Sequence, residues 1–170
     1  AVFELALPFG RAAEAPRTDA ASRPAAKDPA DLSGLRVLLA EDHPTNRRVA
    51  QLLLGSAGID PVCVENGAEA VEAWSAGGFD LVLMDMQMPV MDGLTAIRAI
   101  RAREAAAGHG RTAIIALTAN AMPEDVEATR AAGADGHLTK PITAAALLGA
   151  VRDVARGETS PAPPAVRRQV

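Results

Sequence analysis

The run Leu81-Val82-Leu83-Met84-Asp85 constrains this chain most, because it is unbroken apolar sequence that ends on a carboxylate. The next residues, Met86-Gln87-Met88-Pro89-Val90-Met91-Asp92-Gly93, are rich in turn formers and cannot continue a strand. A strand with no polar alternation is covered on both faces, as parallel strands of α/β proteins are. Two further runs, Arg36–Ala40 and Ala113–Thr118, read the same way. Pro61–Val64 alternates and suits an edge, and His137–Thr139 supplies a short fifth strand.

Helical patterns separate these strands. Their apolar stripes are Val49, Leu52 and Leu53; Ala70, Val71 and Trp74; Leu94, Ile97 and Ile100; and Leu147, Leu148, Val151 and Val154. Val126 and Arg130 flank a weaker stripe before Gly133. Glycines close each pattern: Gly55 or Gly58, Gly77-Gly78, Gly108, Gly133 and Gly157. Five strand–helix units with right-handed crossovers predict a flavodoxin-like, doubly wound, five-stranded parallel sheet of order 2-1-3-4-5 with five helices.

In that order the first and third strands are neighbours at the switch point. Glu41-Asp42 and Asp85 then converge on one crevice, and Thr118 and Lys140 approach it from the fourth and fifth strand ends. Three close carboxylates repel unless protons or a cation join them. A hard divalent ion such as Mg²⁺, with carboxylate, phosphate and water ligands, is the economical solution. The same ion would let an anionic phosphoryl donor approach an anionic nucleophile, Asp85. Lys140 would pair with phosphoryl oxygens and Thr118 would donate a hydroxyl, which suits a reaction that asks mainly for positioning and charge stabilisation. Singly, each residue has a plainer reading: a helix cap for Glu41-Asp42, a loop residue for Asp85, a strand end for Thr118, a surface cation for Lys140. Jointly, four coincidences at one sheet edge are hard to sustain.

Composition limits the remainder. In 170 residues with 49% hydrophobic but only 2% aromatic side chains and no Tyr, the core must consist of Ala, Val, Leu, Ile and Met. Trp74 and Phe79 are expected in that core beside the second helix. A net charge of −4 argues against nucleic-acid binding. Cys63 is the single cysteine, which fits a reducing compartment and a cytoplasmic setting. No apolar run reaches the ~20 residues of a membrane span. Residues 11–34 have linker composition, and residues 157–170 read as a disordered tail that ends near Arg167-Arg168.

Four segments occur in order: Val37-Leu38-Leu39-Ala40-Glu41-Asp42-His43, then Met84-Asp85-Met86-Gln87-Met88-Pro89-Val90-Met91-Asp92-Gly93, then Ala116-Leu117-Thr118-Ala119-Asn120-Ala121, and Gly133-Ala134-Asp135-Gly136-His137-Leu138-Thr139-Lys140-Pro141. Together they resemble a response-regulator receiver domain over residues 35–156. The resemblance implies that Asp85 accepts a phosphoryl group from a phosphohistidine. It implies Mg²⁺ at Asp42, Asp85 and the backbone carbonyl of Gln87, with Glu41 acting through water. It makes Thr118 the switch hydroxyl and Lys140 the phosphate-pairing lysine, with a cis Lys140–Pro141 bond. His137 falls at the position of a rotating switch residue, although a half-packed strand residue is an equal alternative. Gln87 and Asn120 fall where the family tunes phosphoaspartate lifetime. Met86, Met88 and Met91 line the site loop, whereas His43 and His109 read as solvated.

Residues 1–10, Ala1-Val2-Phe3-Glu4-Leu5-Ala6-Leu7-Pro8-Phe9-Gly10, resemble the last strand of a histidine-kinase ATP-binding domain. The implied parent is a bacterial hybrid sensor histidine kinase, compatible with an inner-membrane anchor, with this receiver at its C-terminal end. The fragment has no ATP-binding glycine boxes or phosphoacceptor helix, so self-phosphorylation and self-dephosphorylation are the only reactions expected of it. Its expected partners are the phosphohistidine domain of the parent chain and a histidine phosphotransfer protein. Two other readings share parts of this pattern. A haloacid-dehalogenase-type phosphatase needs a second Asp where Gln87 stands, and a degenerate receiver would serve only as a docking module.

Overall fold

A computed structural model describes residues 32, 34–108, 110–120 and 122–158. The kinase-like stub, nearly all of the linker, the tail beyond 158 and His109 lie outside the described residues. Five parallel strands, β1 (Val37–Ala40), β2 (Val62–Val64), β3 (Leu81–Asp85), β4 (Ala113–Thr118) and β5 (Gly136–Thr139), form one sheet. Its order is β2-β1-β3-β4-β5, as the alternation predicts. The helices are α1 (Pro44–Gly55), α2 (Gly67–Ser75), α3 (Gly93–Ala107), α4 (Pro123–Ala132) and α5 (Ala144–Ala155).

Successive residues of a strand point to opposite faces, so the sheet feeds two cores. Leu38, Ala40, Val82, Met84, Ile114 and Ala116 face α2 and α3, where Val71, Trp74, Ile97 and Ile100 meet them. Val37, Leu39, Leu81, Leu83, Ile115 and Leu117 face α1 and α5, against Leu54, Leu147 and Val151. Trp74 is in the first core, and its indole N–H donates to Thr112 Oγ1 at 2.9 Å. Phe79 packs at the rim of that core with the Arg36 guanidinium 5.2 Å from its ring centre.

A buried ionic cluster ties the end of the sheet remote from the strand C-termini. Arg101 on α3 donates to Gly133 O (2.9 Å), Thr112 O (2.8 Å), Glu104 (2.7 Å) and Asp135 (2.7 Å). Asp135 also accepts from the Ile114 amide at 2.9 Å and from Arg111. Arg101 thus fixes α3 to the start of β4 and to the turn that delivers β5. Gly133 adopts a left-handed φ of 107°, and a side chain there would also strike Arg101.

The α1 stripe differs from the expected one. Ala50 and Leu54 are buried and Leu53 is half-buried, whereas Val49 is 43% and Leu52 58% exposed. Both sets have helical spacing, and the small Ala50 decides between them by letting α1 approach the sheet closely. β1, β2 and β5 each differ from the predicted bounds by one residue. Leu54→Ala should cost about 3 kcal/mol and Leu52→Ala less than about 0.5 kcal/mol in urea unfolding. Equal losses would contradict this orientation of α1.

Candidate functional site

Register builds the site. Ala40 of β1 pairs with Met84 of β3, so Glu41 and Asp85 leave adjacent strands at the same level. Asp85 in turn pairs with Leu117, and Thr118 with Thr139, which brings Lys140 to the same edge. The Lys140 amide donates to Thr118 O at 2.8 Å, and the Lys140–Pro141 peptide is cis.

Carboxylate oxygens of Glu41, Asp42 and Asp85 lie within 4.8 Å of one another. Glu41 and Asp85 are buried, at 1% and 4% exposure, and Asp42 is open to solvent. Lys140 Nζ lies 2.7 Å from Glu41 Oε2 and 2.7 Å from Asp85 Oδ2. Among the described residues Lys140 is the one group that reaches Glu41 Oε2. Glu41 Oε1 accepts from Asn46 Nδ2 at 3.0 Å and from the His43 amide at 3.3 Å. Asp85 Oδ1 accepts from the Gln87 amide at 3.2 Å.

Burial pushes the Asp85 carboxyl above its ordinary value; the Lys140 hydrogen bond opposes this, while the Glu41 charge adds to it. Burial alone would lower the Lys140 ammonium, but its bonds to Asp85 and Glu41 prevail and raise it. The site therefore holds one internal cation among three acids. When all three are ionised, two negative charges have no local counterpart. Buried carboxylate oxygens that share a single lysine, in a cluster of three acids, fit a hard divalent cation.

The loop after β3 closes against the site through glycine. A Cβ at Gly93 would lie 2.2 Å from Asp85 O, and one at Gly67 would lie 2.6 Å from Met91 O. The Gly93 amide donates to Met86 O and the Gly67 amide to Met91 O. Between them Val90 adopts φ 66° and is 86% exposed, an unusual conformation for a β-branched residue. Asp92 caps α3 by accepting from the Thr95 amide at 2.7 Å, and this bond holds its carboxyl below the ordinary range.

Glu41, Asp42, Asp85 and Lys140 come together as the sequence predicts. Thr118 shares the edge, but its hydroxyl donates to Asn120 O at 2.8 Å and accepts from the Asn120 amide at 3.2 Å. His137 is exposed on β5, and His43 is exposed at the start of α1. Sequence reasoning missed Asn46 and Arg47 as neighbours of the acids. Arg47 Nη1 donates to Glu41 O at 2.8 Å, and Arg47 also pairs with Glu65 at 2.9 Å. Their placement in the first turn after Glu41-Asp42 was the available signal, but it also suits ordinary capping.

A raised carboxyl pKa in the folded state means that ionising Asp85 destabilises the metal-free fold as pH rises above the ordinary range. Asp85→Asn should therefore raise the melting midpoint by about 4 °C at pH 7 in chelator. The gain should shrink as pH falls towards about 4. A pH-independent difference would contradict this origin.

Residues 37–152 match the Response regulator receiver domain family. The chain is 36% identical over 149 residues to the sensory/regulatory protein RpfC of Xanthomonas campestris pv. campestris, covering 88% of this chain and 20% of that protein. It is 47% identical over 108 residues to the sensor protein GacS of Pseudomonas syringae pv. syringae, covering 64% of this chain and 12% of that protein. The chain thus spans a fifth or less of these relatives. Among solved structures, the receiver domain of sensor histidine kinase PA1611 from Pseudomonas aeruginosa PAO1 has a magnesium ion in its active-site cleft. It superposes with a TM-score of 0.66 at 38% identity, over 72% of this chain and 98% of that one. The Saccharomyces cerevisiae co-crystal of the phosphotransfer protein Ypd1 with the receiver domain of Ssk1 gives 0.70 at 30% identity, over 74% of this chain and 92% of that one. Family match, strand order and the acid–lysine cluster agree: this chain belongs to the response regulator receiver domain family.

Proposed function

We propose that this domain takes a phosphoryl group from a phosphohistidine onto Asp85. The observation that carries the reading is the pairing of a buried Asp85 with Lys140 beside Glu41 and Asp42. An Asp85 carboxylate oxygen attacks phosphorus, a P–O bond forms, the P–N bond to imidazole breaks, and the leaving imidazole nitrogen takes up a proton. Lys140 stays with the phosphoryl oxygens, and Thr118 leaves Asn120 to donate its hydroxyl to another. Asp42, Asp85 and the Gln87 carbonyl would hold Mg²⁺, with Glu41 acting through water; the ion would supply charge neutralisation for two approaching anions. Gln87 and Asn120 border the acyl phosphate and set its exposure to water. His137, exposed in the unphosphorylated arrangement, turns inward as Thr118 moves and so re-forms the surface of α4 and β5.

The parent is a hybrid sensor histidine kinase, a reading supported by the similarity to RpfC and GacS and by the kinase-like residues 1–10. Residues 11–34 are its linker, residues 35–156 the receiver and residues 157–170 a tail. The domain acts in the cytoplasm, and among the described residues no helix is long and apolar enough to cross a membrane. Donor or acceptor is a histidine-bearing helical domain of the parent or of a phosphotransfer protein. The Ypd1–Ssk1 neighbour supports this, as does the exposed apolar pair Val49 and Leu52 on the helix that begins beside Asp42.

Incubation with acetyl phosphate and Mg²⁺ should give a single phosphoryl adduct by intact mass, absent without Mg²⁺ and absent in Asp85→Asn. No adduct under any of these conditions would leave a docking module. Leu52→Glu should slow transfer from a phosphohistidine domain by about tenfold and leave acetyl phosphate labelling unchanged. Equal slowing with both donors would remove α1 from the docking surface.

A further inference from the structure

Glu41 is held asymmetrically. Its Oε1 meets only neutral donors, the Asn46 side-chain amide and the His43 N–H. Its Oε2 meets only a cation, Lys140 Nζ. Asn46 is otherwise solvent-exposed in the first turn of α1, where an amide could satisfy itself with water. Instead it reaches back five residues to a carboxylate that is 1% exposed. Without it, Oε1 keeps one N–H at 3.3 Å, and the carboxylate's last torsion is set chiefly by the Lys140 contact on the other oxygen.

We infer that Asn46 is a positioning residue: it fixes Glu41 so that Oε2 faces the divalent-cation site. Its neutrality matters, because a lysine or arginine there would satisfy the same oxygen while repelling the ion. Arg47, one residue on, does carry charge, but sends it to the Glu41 and Asp42 carbonyls and to Glu65. The first turn of α1 therefore braces the backbone of the acid pair with a cation and its buried carboxylate with an uncharged amide. Partners that orient ligands in this way commonly change metal affinity by about 10–100-fold.

The inference rests on the Mg²⁺ reading, and the experiment separates the two. Calorimetric titration with MgCl₂ and with CaCl₂ would compare the unaltered chain, Asn46→Ala and Asn46→Gln, alongside thermal melts. Mg²⁺ demands near-ideal octahedral geometry and Ca²⁺ tolerates looser ligands. Asn46→Ala should thus bind Mg²⁺ about tenfold more weakly, change Ca²⁺ affinity by less than about threefold, and stay folded at the titration temperature with a slightly lower melt. Asn46→Gln, which keeps a neutral amide, should recover Mg²⁺ affinity. Unchanged binding of both ions by Asn46→Ala, or parallel loss of both, would overturn the role of Asn46. Failure of the unaltered chain to bind Mg²⁺ would overturn the metal reading and this inference with it.

Discussion

The Lys140 ammonium, 2.7 Å from both Glu41 and Asp85, is the contact on which the arrangement depends. Two acids buried to this degree would repel each other. A single lysine shared between them lets both stay close at the sheet edge, yet it cannot neutralise three. The site is consequently poised: stable enough to form, and short of positive charge by an amount that a divalent ion supplies. Such local instability is expected where a fold serves chemistry.

Everything else in the fold serves to bring that lysine and those acids to one level. The parallel register of β1, β3, β4 and β5 aligns four strand ends, and two apolar cores clamp the strands from both faces. At the remote end Arg101 and Asp135 lock α3, β4 and the turn into β5, so Lys140 is delivered from a fixed base. At the near end the close approach of Gly93 to Asp85 O seats the site loop directly against Asp85. α4 begins without a side-chain cap beside the Thr118–Asn120 turn, and ends at a Gly133 carbonyl held by Arg101 and Arg111.

Much of this was legible in the residues. Unbroken apolar strands, glycine stops and crossover rules dictate the sheet order, and the order dictates which strand-end residues meet. What was not legible depends on side-chain choices that several patterns satisfy equally. Val49-Leu52-Leu53 and Ala50-Leu53-Leu54 are both helical stripes, and only the close packing of Ala50 and Leu54 selects the second. Asn46 near a helix start reads as capping until its amide is seen on Glu41. The Thr118 hydroxyl could face either Asp85 or Asn120, and hydrogen bonding within the turn decides for Asn120. Arg101, in an ordinary helical stretch, gave no sign of the four groups it gathers.

A crystal structure with Mg²⁺ at saturation tests the account most directly. One ion should lie on the carboxylates of Asp42 and Asp85, with metal–oxygen distances of about 2.1 Å, and the Lys140 ammonium should be released from its bridge between Glu41 and Asp85. An intact Glu41–Lys140–Asp85 bridge with no ion among the three acids would contradict it.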